Sequence, residues 1–184
     1  AGVGSLRAAI DCANNSPGAN VIRFNIPGQS PHRIYVGETS DERLPPLNDP
    51  YTTIDGTSQP GYGINNNFQP LIILDGARKE WRAANNALWI RADYSEVYGL
   101  EITNFPDDGI DITGADFCRI GDVNRGNVIY NVGAQQDFFP ETNGGPWEGS
   151  GIVIKRGARS NIIRGNYIGT NYQQDLIGSV EGVG

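Results

Sequence analysis

One short pattern recurs three times in this sequence. Leu88-Trp89-Ile90 leads to Val97 and on to Gly99-Leu100-Glu101-Ile102. Gly109-Ile110-Asp111-Ile112 leads to Ile120 and on to Asn127-Val128-Ile129, and Gly151-Ile152-Val153-Ile154 leads to Ile163 and on to Gly165-Asn166-Tyr167-Ile168. Each copy joins three short β-type runs through Gly, Asn and Asp. Successive copies begin about 22 to 27 residues apart once an inserted segment is set aside. A period in that range marks a solenoid, in which each repeat buries its apolar face against the next.

Composition narrows the class. The 184 residues include 25 Gly and 11 Pro, residues that set the backbone of tight turns, so many short strands with many corners are expected. Leu and Ala do not recur at helical spacing, and the class is all-β. A net charge of −7 without Lys/Arg clusters repels nucleic acid and anionic lipid. An anionic polysaccharide would need a bridging cation such as calcium. No apolar run is long enough to span a bilayer, and the chain opens at Ala1-Gly2 without a charged-then-apolar leader. Cys12 and Cys118 are its two cysteines; Cys118 reads as a small buried apolar residue, and a bond between the two is left open.

The sequence reads as one domain over 1–184. Residues 1–18 form a cap and 19–184 form coils, with an inserted loop at 134–148. Ser5 to Asn14 is the helix: Ser5 is a good N-cap, and Leu6, Ala9, Ile10 and Ala13 share a face suited to covering the first coil. Strands are expected at Val21 to Ile26, Arg33 to Val36, Thr52 to Ile54 and Leu71 to Leu74, with loops at Gly37 to Pro50 and Gly56 to Gln69. In register, Leu88/Ile110/Ile152 and Ile90/Ile112/Ile154 make two buried ladders on one face. Val97/Ile120/Ile163 line a second face and Ile102/Ile129/Ile168 a third. Asn104 and Asn131 would stack at a corner and share hydrogen bonds.

Gly4-Ser5-Leu6-Arg7-Ala8-Ala9-Ile10, Asn25-Ile26-Pro27-Gly28 and Ile54-Asp55-Gly56-Thr57-Ser58-Gln59-Pro60-Gly61-Tyr62 resemble the opening of bacterial extracellular right-handed parallel β-helix repeat proteins, of the pectate-lyase-like superfamily. Arg119-Ile120-Gly121, Gly126-Asn127-Val128-Ile129 and Gly165-Asn166-Tyr167-Ile168-Gly169-Thr170-Asn171 resemble their tandem repeats. The resemblance implies an all-β, right-handed, single-stranded parallel β-helix (solenoid) with an N-terminal α-helical cap, secreted or held at a cell surface. Two departures stand out: the strand those proteins place before the Gly-Ser-Leu-Arg helix is missing, and the sequence reaches Gly182-Val183-Gly184 where another coil would begin.

The catalytic assignment is none, with Asp107, Asp108 and Asp111 as the alternative. Pectin-degrading hydrolases of the same fold cluster Asp residues in a similar string, and glycoside hydrolysis needs two carboxyl groups. Their histidine and Arg-Ile-Lys strings are missing here, and His32 lies far away in sequence. No cofactor is expected. The metal left open is calcium, through the oxygens of Asp93, Asp116 and Asp122 with the Asp107/Asp108 pair, and Lys155 and Arg156 would project above them as a lyase base. Trp81, Trp89, Trp147, Phe138 and Phe139 form a conceivable sugar platform, Trp89 pointing out of the tube.

The leading expectation is therefore a non-catalytic structural or adhesive protein. It would self-associate head-to-tail through its β-helix ends, its C-terminal residues pairing with the N-terminal region of the next copy. The alternative is a polysaccharide lyase or glycoside hydrolase acting on acidic polysaccharide. A third reading is a piece of a longer β-helix.

Overall fold

The computed structural model describes residues 4–37, 43–76, 86–133 and 149–170. It is mostly β, with parallel sheets and one α-helix. The inserted loop with Phe138, Phe139 and Trp147, the residue Trp81 and the C-terminal Leu176 to Gly184 lie outside the described residues.

The helix, α1 (Leu6–Asn14), starts where the Ser5 hydroxyl accepts the Ala8 N–H at 3.2 Å. Leu6, Ile10 and Ala13 recur at helical spacing and enter the same core as Ile22, Phe24 and Leu47. Asn14 ties the helix end to the following chain, donating to the Pro46 carbonyl at 2.8 Å and accepting from the Asn48 N–H at 2.9 Å.

The strands fall into three parallel sheets that the chain visits in rotation. The first holds β1 (Asn20–Arg23), β3 (Thr52–Asp55), β6 (Glu96–Tyr98), β9 (Arg119–Ile120) and β12 (Ile162–Ile163), in that order. The second holds β2 (His32–Tyr35), β4 (Ile72–Asp75), β7 (Leu100–Phe105), β10 (Val128–Val132) and β13 (Tyr167–Ile168). The third holds β5 (Leu88–Ile90), β8 (Ile110–Thr113) and β11 (Ile152–Lys155). Every strand pair among the described residues is parallel.

The registers are those the repeat implies. Leu88 faces Ile110 and Ile110 faces Ile152, while Ile90, Ile112 and Ile154 align beside them. The first-sheet column runs Ile22, Ile54, Val97, Ile120, Ile163, and the second runs Ile34, Leu74, Ile102, Ile129, Ile168. The repeat thus begins well before Leu88. Even the loop at Gly37 to Pro50 contributes, since Leu47 is 1% exposed and bridges to Ile90 in parallel.

Burial corrects one expectation. Ile110 and Ile112 are fully buried, but Ile154 is 44% exposed, and Ile163 and Ile168 are 39% exposed. In the last described circuit these side chains lack a further rung of described residues over them, so alignment in the ladder does not bring burial there.

Side-chain amides hold the corners. Asn131 donates to the Asn104 carbonyl oxygen, and Asn104 donates to Asp75 at 2.8 Å. Both asparagines adopt left-handed backbone, which this residue type tolerates. A second pair escapes the sequence reading: Asn127 donates to Asn166 at 2.9 Å, and Asn166 donates to the Ile120 carbonyl at 2.7 Å. Circuits approach so closely beside it that a Cβ on Gly126 would lie 1.8 Å from the Gly165 carbonyl oxygen. Cys12 and Cys118 are both free thiols, the first exposed and the second buried. Burial pushes the Cys118 thiol up to about 11, as expected of an inert core cysteine.

Candidate functional site

The three sequence-predicted aspartates converge at the third sheet. Gly109 ends the turn before β8, Asp108 sits just ahead of it, and Asp111 lies on β8 facing outward between Trp89 and Val153. Lys155, at the end of β11, reaches across the rung to both carboxylates, at 2.8 Å from Asp108 and 3.2 Å from Asp111. The other carboxylate oxygens are also bonded. Asp108 accepts the Ser150 N–H at 2.9 Å, and Asp111 accepts Asn86 at 3.0 Å and the Thr113 hydroxyl. Asp108 and Asp111 are 2% and 5% exposed. This is a closed network in which each charge has a partner.

Asp107 stands at its margin, half-buried. Burial first, and then the charge of Asp108, push its carboxyl above the usual carboxylate value. For Lys155 burial opposes the charge, but the bonds and charges of Asp108 and Asp111 outweigh it and hold the ammonium above its ordinary value. A lysine in that state is an anchor; a proton-abstracting base needs the neutral amine. Of the two cations expected above the carboxylates, Lys155 reaches Asp108 and Asp111 and none of Asp93, Asp116 and Asp122, and Arg156 is exposed.

The remaining carboxylates stay apart and cap turns. Asp93 accepts the Asp116 N–H at 2.8 Å, and Asp116 accepts the Arg159 N–H at 2.6 Å. Asp122 accepts the Val123 N–H at 2.8 Å and lies 3.0 Å from Arg164. Among the described residues no group of three or more His, Cys, Asp or Glu is placed to hold a metal ion. Trp89 does lie on the outer side of the third sheet, with the Arg91 guanidinium 4.9 Å from its ring centroid. Its indole N–H is buried without a partner among the described residues.

The first sheet carries a feature the sequence reading missed. Tyr51 and Tyr94 stack at 4.7 Å with their planes 6° apart, and Tyr94 and Phe117 stack at 5.0 Å and 9°. All three take left-handed backbone, with φ of 62°, 57° and 59°. Such backbone at a bulky residue costs on the order of 1–2 kcal/mol, and each stacked pair returns about 0.5–1.5 kcal/mol. The rings remain 41% to 51% exposed and, with Thr53, Glu96 and Arg119, line an open groove of about 470 Å³. Each aromatic stands three places before an inward ladder residue: Tyr51 before Ile54, Tyr94 before Val97, Phe117 before Ile120. That spacing was the signal available in the sequence.

Compared with known proteins, the chain matches no family model, no curated protein and no solved structure.

Proposed function

We propose that the chain is a right-handed single-stranded parallel β-helix acting outside the cell as a non-catalytic structural or adhesive element. The rotation of the strands through three parallel sheets, with residues aligned from circuit to circuit, supports the solenoid reading. The extracellular setting follows from the resemblance of its opening and repeat motifs. One observation carries the non-catalytic reading: the acidic cluster is internally satisfied, with Asp108 and Asp111 almost wholly buried and bonded to a charged Lys155. Carboxylates so held brace two neighbouring rungs, and fold alone does not confer an activity. Self-association through the helix ends follows from the sequence expectation, since an unpaired strand row accepts another chain.

The test is a paired one. Polygalacturonate incubated with the purified chain should yield neither unsaturated uronate nor new reducing ends. Negative-stain microscopy and sedimentation should show concentration-dependent end-to-end assemblies. Turnover abolished by Asp108→Ala would overturn the non-catalytic reading, and a strictly monomeric chain at high concentration would overturn the assembly.

The second reading is a carbohydrate-active enzyme on acidic polysaccharide. It is favoured by the raised carboxyl of Asp107 beside an ionised partner, the pairing that general acid catalysis uses. The same incubation decides between them.

A further inference from the structure

We infer that the groove on the first sheet binds an extended neutral glycan, at a site separate from the acidic cluster and independent of any assembly. Its walls are the aromatic stack, and its floor is the outward column Thr53, Glu96, Arg119 and Ile162. Left-handed backbone belongs to this corner, since Ser160 shares it at φ 57° without a ring; what the corner does not require is an aromatic at three successive positions, each left 41% to 51% exposed. Bulky rings at a position that suits Asn or Gly, repeated and left open beside a groove, point to a use for the side chains.

The surroundings select the ligand class. Strands β3, β6 and β9 are each paired on both sides, so the groove presents no free backbone row to a peptide adding as a strand. Recognition must run through side chains. Glu96 and Arg119 lie 3.8 Å apart and offset each other, and the chain as a whole carries −7, which disfavours an anionic polymer. A neutral ligand rich in hydroxyl groups suits what remains: the Thr53 and Ser160 hydroxyls, one carboxylate and one guanidinium. Polar groups and rings repeat at the rung spacing of about 4.8 Å, comparable to the length of one pyranose unit in a chain. The stack also ends openly. Ala19 and Ser160 occupy its next positions on either side, so the outer faces of Tyr51 and Phe117 meet the groove uncovered by another ring. Aromatic faces and edges beside hydroxyl-bonding groups are what a sugar ring packs against.

The experiment titrates the full chain by calorimetry with cellohexaose, xylohexaose and mannohexaose, and with a galacturonate hexamer as the charged comparison. At least one neutral hexaose should bind with Kd below about 1 mM, more tightly than the galacturonate. Phe117→Asn removes a terminal ring and supplies a residue suited to left-handed backbone; it should weaken binding roughly tenfold. Arg119→Gln, which alters the floor and leaves the rings, should also weaken it and keeps the test sound should Phe117→Asn fail to fold. Arg91→Gln on the third sheet should change nothing. Binding of no neutral hexaose, tighter binding of galacturonate, wild-type affinity in both groove variants, or loss in Arg91→Gln would each overturn the assignment. Because binding is read on the soluble chain, the result does not depend on whether it assembles.

Discussion

The outer faces of the first and third sheets invert what their residue types suggest. On the third sheet Asp108, Asp111 and Lys155 have the chemistry of an active site, yet they are closed on one another and serve the stacking of β8 on β11. On the first sheet Tyr51, Tyr94 and Phe117 have the chemistry of a core, yet they stand in the open beside a groove. In a stacked structure of this kind, residue type is a weaker guide to role than the state of its partners. A buried carboxylate with both oxygens bonded is structure. A ring left uncovered beside a groove is surface.

The contrast can be broken most forcefully beneath the third sheet. Ile112 is fully buried between Ile90 and Ile154, so Ile112→Ala should cost about 2–5 kcal/mol, the range for opening a cavity in a rigid core. Ile154→Ala, in the same ladder but 44% exposed, should cost about 1 kcal/mol or less. Denaturant unfolding of the two variants measures the difference, and equal losses would mean the last described circuit is as well covered as the middle ones.

Next in size is the charge network itself. Lys155→Ala leaves two carboxylates, with side chains 3% and 7% exposed, facing each other without their cation. Breaking a fully buried pair costs about 3–5 kcal/mol; because the lysine side chain is 45% exposed, about 2–3 kcal/mol is expected here. A loss within about 0.5 kcal/mol would show that water replaces the ammonium easily and that the cluster is no brace.

Smaller still is the effect on the first sheet. Tyr94→Asn forfeits two stacked pairs but relieves backbone strain, so stability should change by about 1 kcal/mol or less in either direction. A loss above about 3 kcal/mol would make the stack a structural pillar after all, and the two faces would then differ only in polarity.

The sequence disclosed the part of the fold written in period-two apolar runs. The columns through Ile110, Ile112, Ile120 and Ile129 were legible because each rung places a branched apolar residue inward at the same offset. Ile22, Ile54, Leu74 and Leu47 belong to the same columns but were hidden. The excursion at Gly56 to Gln69 and the Pro-rich stretch before Leu47 stretch the spacing, and a period search loses a repeat once its loops vary in length. At the acidic cluster the aspartates were visible as a string and Lys155 as a neighbour. Their burial was not, because the Ser150 N–H and the Asn86 amide arrive from other circuits. The aromatic groove was missed for another reason. Propensity assigns left-handed turns to Gly, Asn and Asp, so Tyr51, Tyr94 and Phe117 were not read as equivalent positions.

The smallest effect belongs to Asp107, the member of the acidic cluster that the network leaves out. Its folded-state carboxyl is raised above the ordinary value of 3.8 by burial and then by Asp108. The folded chain therefore holds this proton more tightly than the unfolded chain does. Its contribution to stability is fully present below 3.8 and is lost as pH rises through the raised folded value, so at neutral pH the ionised group is a net cost. Asp107→Asn removes that cost and keeps an oxygen in place. The variant should melt slightly higher than the parent at neutral pH, and the gap should close as pH falls toward 3.8. Carboxylates remote from Asp107 titrate in both proteins and cancel in the difference. A lower melting temperature for Asp107→Asn at neutral pH would mean that attraction to Lys155 outweighs burial, drawing Asp107 into the same closed network as Asp108 and Asp111.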